Sequence, residues 1–190
     1  MADLNLDDPI AVLIAAAGAF QRSGIDALVY GGMALAMYGE PRETRDADLA
    51  VASVSVDAAR DALMTTGLTT VIAFSGTTFG GLSISRLTLV GGGKLNMVDL
   101  IRPRSDRFAN AMMQRPLRGA LEGQDLSVVS PEDFVLLKVL STRDKDLEDA
   151  RTIIVALRGR LDERLIRDEA ALLAAEIPDH AVAARLLSVL

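Results

Sequence analysis

The sequence predicts an α/β (α+β) fold, a small mixed β-sheet flanked by helices with a C-terminal helical portion, and three observations carry that prediction. Short apolar segments of strand length alternate with segments of helical spacing through the first two thirds of the chain. Three strand-like runs, Leu68 to Phe74, Leu82 to Val90 and Lys94 to Ile101, follow one another with glycine-rich breaks between them. From Glu132 to Leu190 the pattern turns almost wholly helical, broken at Gly159 and Pro178. With 190 residues and 50% hydrophobic content the chain can bury a core of its own. Residues 1–130 are expected to form that core, with 131–190 packed on it as part of one unit.

Each element has a local cause. Ile10 to Phe20 has helical apolar spacing, with Asp7, Asp8 and Pro9 at its start and Ser23-Gly24 at its end. Ala27 to Tyr30 reads as a short buried strand. Met33 to Tyr38 reads as a helix stopped by Gly39 and Pro41, and Ala47 to Val51 as the next strand. Val56 to Thr66 is helical and Gly67 closes it. Gly91-Gly92-Gly93 makes a hairpin turn, since no Lys-Ser or Lys-Thr follows to make it a phosphate loop. Gly76 and Gly80-Gly81 are expected to mark a mobile loop. Arg107 to Gln114 is the next helix and Leu126 to Val129 a short last strand. Ser130 then stands as N-cap, with Pro131 and Asp133 in the first turn of the following helix. The alanine and leucine rows Ala171 to Ala175 and Ala181 to Leu187 suit packing against the sheet or a partner.

Composition removes several function classes. The chain has no cysteine, so neither a disulfide partner nor a thiol nucleophile exists, and the lone His180 leaves no basis for a structural zinc. His180, following Pro178-Asp179, reads as a helix-start residue rather than a base. The acidic start and the short Ile10 to Phe20 run fit neither a signal peptide nor a membrane span, so a cytoplasmic protein without membrane contact is expected. The formal net charge of -6 argues against indiscriminate nucleic-acid binding. Lys94, Arg102, Arg104, Arg107, Arg115 and Arg118 nevertheless outnumber Asp99 and Asp106 between them, and a minority of these cations could guide a triphosphate or an RNA end. Glu40, Glu43 and Asp57 have no partner at metal-ligand spacing and are read as solvated.

One stretch carries chemistry. Leu28-Val29-Tyr30-Gly31-Gly32 places two glycines where backbone N–H groups can approach a phosphate at a helix start. Asp46 and Asp48, two apart on a predicted strand, point to one face and can share a divalent ion. Arg42 and Thr44 stand just upstream, where they contact a triphosphate, orient Asp46, or, for Arg42, sit as a surface charge. Lys138 lies within the apolar row Phe134 to Leu140, and such a lysine either snorkels to water or meets an anion.

The ordered set Gly31-Gly32, Arg42-Glu43-Thr44-Arg45-Asp46-Ala47-Asp48, Ser130-Pro131-Glu132-Asp133, Lys138 and Lys145-Asp146 resembles the DNA polymerase β-like nucleotidyltransferase superfamily, and within it the abortive-infection AbiEii-like toxins and their minimal relatives. The resemblance spans about three quarters of the chain, and implies a nucleotidyltransferase fold and transfer of a nucleoside monophosphate from a nucleoside triphosphate to a hydroxyl. It also implies Mg2+ or Mn2+ held by Asp46, Asp48 and Asp99, with Asp99 serving the attacking hydroxyl. Gly31, Gly32, Arg42, Thr44, Lys138 and Lys145 would bind the nucleotide, and Asp146 would buttress Lys145. Asp144-Lys145-Asp146 reads equally as a helix-start charge cluster. A tRNA 3′ end or a protein is the implied acceptor and a cognate antitoxin the implied partner. The alternatives are small-molecule transfer of the aminoglycoside-modifying kind and a non-catalytic module that binds a nucleotide or a partner. Ala47 departs from the larger aliphatic usual within the D-x-D, and 4% aromatic content offers few stacking surfaces for RNA bases.

Overall fold

A seven-stranded sheet of order β3-β4-β5-β2-β1-β7-β6 organises the computed structural model, which describes residues 4–39 and 41–190. Glu40, read as solvated, lies outside the described residues. β1 (Leu28–Val29) pairs antiparallel with β2 (Ala47–Ala50) and parallel with β7 (Gln124–Val128). β2 runs parallel to β5 (Lys94–Pro103), and β5 continues antiparallel into β4 (Leu82–Gly91) and β3 (Thr69–Phe79). β6 (Leu117–Leu121) closes the far edge against β7. The sheet is therefore mixed, as the sequence predicts.

The helices begin where the capping chemistry places them. Asp8 accepts from the backbone N–H groups of Ile10 and Ala11 and Pro9 is the first residue of α1 (Pro9–Arg22). α2 runs Gly31–Met37, two residues earlier than its apolar spacing indicates. Ser55 caps α3 (Val56–Met64) and Ser105 caps α4 (Asp106–Met113). Ser130 accepts from Asp133 N–H at the start of α5 (Pro131–Leu140). α6 (Asp144–Ala156), α7 (Glu163–Glu176) and α8 (Val182–Leu187) complete the chain.

Burial follows the pleat. Ala47, Leu49, Leu87, Val98 and Leu100 are buried on one face of the central strands with Val12, Leu13, Ala16 and Phe20 of α1 in the same core. α5 is buried from Asp133 onward: Phe134, Val135, Leu136, Leu137, Val139 and Leu140 are fully covered. It packs against α6, α7 and α8; of the expected alanine and leucine rows only Leu173, Val182 and Leu186 are buried, while Leu172 and Leu187 are exposed. Arg115 joins Asp133 at 2.7 Å and Arg107 joins Glu169 at 2.8 Å, binding α7 and α5 to the α4 region.

Three expectations are corrected. Gly76 and Gly80-Gly81 do not mark a loop: β3 extends to Phe79 and turns at Gly80-Gly81 directly into β4. Gly76 (φ +62°) sits at a strand irregularity between Phe74 and Thr77, and Leu140 of α5 presses so closely on Gly81 that a Cβ would overlap it. β6 carries too little β-branched or aromatic residue to stand out, and exists because Glu122 (φ 49°) and Gly123 (φ 75°) turn it onto β7. The helical run also breaks at Ser141, where the backbone turns extended (ψ 160°) before α6.

Candidate active site

Strand register brings three of the acids onto one face. Asp48 on β2 pairs with Asp99 on β5, and Asp99 pairs with Arg86 on β4, so the three side chains form a row across adjacent strands. Asp46, immediately before β2, points the same way by alternation. These residues line a cleft of roughly 430 Å³ together with Tyr30, Arg42, Glu43, Thr44, Arg45, Ser141, Arg143 and Lys145.

The two glycines are explained by close approach. Gly31 adopts φ +64°, and a Cβ there would overlap the Asp48 carboxylate; one on Gly32 would meet Thr44 Cβ at 2.7 Å. The turn thus lets Asp48 and Thr44 lie against the start of α2, and both glycines are buried beneath the cleft wall. Tyr30 N–H donates to the Asp48 carbonyl at 3.0 Å, fixing the strand end to this turn.

The acids differ in their surroundings. Arg86 grips Asp99 with a fork, Nε to Oδ1 at 2.7 Å and Nη2 to Oδ2 at 2.7 Å, and its Nη2 also reaches Asp46 Oδ2 at 3.3 Å. Among the described residues nothing donates a hydrogen bond to the Asp48 carboxylate. Burial, and then the neighbouring Asp99 charge, push its pKa up to about 7. Burial also raises Asp46, against the pull of Arg86. An unpartnered, desolvated carboxylate among two others is a hard-oxygen donor set suited to Mg2+ or Mn2+. With Arg86 between Asp46 and Asp99, no group of three acids or histidines among the described residues is gathered tightly enough to enclose an ion.

The remaining expected site residues divide. Arg42 and Thr44 line the cleft; Arg42 is held from behind by Asp149, Nη2 to Oδ2 at 3.1 Å, and the Thr44 hydroxyl stands 3.4 Å from the Asp46 carbonyl. Lys145 is exposed on the cleft rim, whereas Asp146 is buried and turned inward. Asp146 takes the ammonium of Lys138 at 2.7 Å and the Arg143 guanidinium at 2.7 Å, which hold its carboxyl below the ordinary range despite burial. Its expected role toward Lys145 is replaced by these two pairs. Lys138 is only 1% exposed, paired with Asp146 and Asp149 (2.8 Å) and set 5.0 Å from the Tyr30 ring centre. Its ammonium stands outside the cleft lining, in contact with Asp149, which in turn holds Arg42.

The cations between Lys94 and Arg118 are spent elsewhere. Lys94 joins Asp7, Arg102 joins Asp106, and Arg104 joins Asp179 at 2.8 Å, with Arg107 and Arg115 in the helical network. Arg118 reaches Ser127 at 3.1 Å. The cleft cations that replace them, Arg86 and Arg143, were not singled out by motif. Arg86 is the lone charge in an otherwise apolar and hydroxylated strand, which is the signal that could have found it. His180 lies against the Val139 carbonyl at 3.0 Å, tying the chain before α8 to α5.

Comparison with known proteins agrees with this architecture. No curated protein matches the chain. Among solved structures, a candidate nucleotidyltransferase from H. pylori matches over 95% of this chain and 89% of its own, with TM-score 0.50 and 11% identity. The antibiotic-resistance factor ANT(2'')-Ia in solution matches over 87% and 93%, with TM-score 0.57 and 15% identity. Its crystal form with adenylyl-2''-tobramycin matches over 88% and 95%, with TM-score 0.51 and 13% identity. Likeness at such identity establishes the nucleotidyltransferase fold. The family model described as nucleotidyl transferase of unknown function, DUF2204, matches residues 10–186, and the chain belongs to that family within the nucleotidyltransferase superfamily.

Proposed function

We propose that the protein is a Mg2+- or Mn2+-dependent nucleotidyltransferase that moves a nucleoside monophosphate from a nucleoside triphosphate to a hydroxyl on a polyanionic acceptor, in the manner of the AbiEii-like toxins. The observation that carries this reading is the row of Asp48, Asp99 and Arg86 on neighbouring strands, with Asp46 beside it, in an open cleft rimmed by Arg42, Arg45, Arg143 and Lys145.

Asp46, Asp48 and Asp99 would hold the divalent cations, which when bound polarise the α-phosphate and neutralise the departing pyrophosphate. The acceptor oxygen forms a bond to the α-phosphorus as the α–β anhydride bond breaks. Pyrophosphate leaves with the electron pair, and the hydroxyl proton passes to Asp99 or to water. Arg42, Thr44 and Lys145 face the space a triphosphate would fill, and Arg42 presents its charge there because Asp149 and Lys138 fix it from behind. Residues 1–130 would supply the chemistry and 131–190 the wall that closes the cleft. A cytoplasmic protein would have nucleoside triphosphates at hand.

The charge of the cleft favours one acceptor class. Its lining carries the cations Arg42, Arg45, Arg86, Arg143 and Lys145 against Glu43, Asp46, Asp48 and Asp99. Arg42 and Arg143 are held by Asp149 and Asp146, so once divalent cations neutralise the three aspartates the positive excess rests on Arg86 and Lys145, with Arg45 beside them, which suits a tRNA 3′ end and opposes an aminoglycoside. A cognate antitoxin would have to cover this rim to restrain the activity.

The test is incubation of wild type and Asp46→Ala/Asp48→Ala protein with Mg2+, each labelled nucleoside triphosphate, and either total tRNA, a protein extract or an aminoglycoside panel. Label on tRNA that requires both aspartates is expected. Aspartate-dependent label on the aminoglycosides would replace the acceptor reading. Absence of label, together with absence of cation-dependent nucleotide binding, would leave a non-catalytic module.

A further inference from the structure

We infer that Arg86 is a displaceable counter-ion, which occupies the space between Asp46 and Asp99 in the free protein and must swing out before those carboxylates can take a divalent cation. The inference rests on the cation site proposed above. It adds a residue outside the motif that sets how readily that site is filled.

Four observations lead there. The register is the first: Arg86 stands opposite Asp99 across β4 and β5, so the guanidinium is delivered to the acids by strand pairing. Arg86 also holds both acids at once, with both Asp99 oxygens in its fork and Asp46 bridged by the same Nη2. Third, the grip is selective. Asp48 receives no hydrogen bond among the described residues, so one positive charge leaves the trio undercompensated. Finally, the side chain remains 30% exposed and lines the open cleft, so its head group has space to turn into, and the Phe74 ring on β3, 5.8 Å from its guanidinium carbon, flanks it.

The competition follows from simple chemistry. The Nη2 that binds Asp99 Oδ2 also reaches Asp46 Oδ2, so it stands between the two acids, where a cation shared by them would have to lie. A dication placed there would also stand beside a guanidinium that is always charged. Arg86 and the cation therefore exclude one another between these two acids. Without cation, Arg86 relieves the mutual repulsion of the carboxylates. With cation, Arg86 is released into a cleft that receives phosphates, for which a planar fork is well suited. The cost of breaking the fork lowers cation affinity in the absence of nucleotide.

Calorimetric titration of Mn2+ into nucleotide-free wild type, Arg86→Met and Arg86→Lys protein tests this, with circular dichroism confirming that each is folded. Arg86→Met keeps the apolar stem and is expected to bind Mn2+ about tenfold more tightly, the scale of a charge-assisted fork that no longer has to break. Arg86→Lys, which retains charge and loses the fork, is expected between the two. Equal or weaker binding by Arg86→Met would show that Arg86 supports the site rather than competes for it, and would overturn the inference while leaving the cation site standing. Failure of wild type and both variants to bind Mn2+, alone or with a nucleoside triphosphate, would remove the cation site itself. Should Arg86→Met not fold, the Nε–H resonance of Arg86 in wild type, assigned by its loss in Arg86→Lys, provides the second measurement. It is expected to shift and lose exchange protection as Mg2+ is added, and an unchanged signal under Mg2+ saturation overturns the inference.

Discussion

Asp48 is the residue in which sequence motif and physical environment meet. Its pKa of about 7 comes from burial and from Asp99, so the folded state holds a proton there that the unfolded chain releases near its ordinary value of 3.8. Between about pH 4 and pH 7 the native protein binds more protons at this position than the unfolded chain, and stability contributed by Asp48 falls as pH rises through that window. Asp48→Asn, melted in chelator from pH 5 to pH 8, is expected to show a flatter profile than wild type and a higher melting temperature at the alkaline end. Parallel profiles would mean that Asp48 is better solvated than its position implies. Gly31 makes a complementary prediction, because any side chain there must adopt φ +64° and overlap the Asp48 carboxylate. Gly31→Ala is expected to cost about 1–3 kcal/mol in denaturant unfolding, and to weaken Mn2+ binding because Asp48 has to move. Loss of stability with unchanged Mn2+ affinity would separate the glycine from the site.

At the scale of elements, what the sequence disclosed depended on whether the cause was local. α1 and α5 were legible from Asp8-Pro9 and Ser130-Pro131, since a cap is a few-residue interaction. The glycine hairpin between β4 and β5 was legible for the same reason. β6 was hidden because its pairing is set by a turn at Glu122-Gly123 rather than by strand propensity, and the extent of β3 was hidden because Gly76 and Gly80-Gly81 look like loop residues until Gly76 is placed at a strand irregularity and Leu140 against Gly80-Gly81. The candidate site divides likewise. Asp46 and Asp48 share a motif, whereas Arg86 joins them only through strand register. Lys138 shows how a motif position can serve from behind. α5 buries it between Asp146 and Asp149 of α6, and Asp149 carries Arg42 to the cleft. Lys138→Met removes the ammonium shared by two buried carboxylates, leaving Asp146 to Arg143 and Asp149 to Arg42, and is expected to destabilise by about 1–3 kcal/mol. If its role is to position Arg42, nucleotide affinity at a temperature where the variant is folded falls by no more than in Arg42→Met. A much larger loss than Arg42→Met would show that the ammonium itself reaches the nucleotide.

For the whole molecule the question is how a chain of formal net charge -6 could act on a polyanion. Screening supplies the answer, because at about 0.1 M ionic strength the Debye length is about 10 Å and charges beyond that distance contribute little at the cleft. Asp133, Asp146, Asp149 and Glu169 are also bound to Arg115, Lys138, Arg143, Arg42 and Arg107, which leaves the excess on the other acids of the chain. An acceptor at the mouth therefore meets Arg45 and Lys145, both exposed; the ion pair of Arg45 with Glu43 lies in solvent and binds it weakly. Reversing both charges, Arg45→Glu with Lys145→Glu, is expected to leave the melting temperature unchanged while raising KM for a tRNA acceptor several-fold, with a smaller effect on kcat. The same pair of substitutions would lower KM for a polycationic aminoglycoside, because the added carboxylates attract it. Initial rates on both acceptors with one double variant thus give opposite signs for the two readings. An unchanged KM for both would place the acceptor outside this rim, and the search for its contacts would move to the other faces of the sheet.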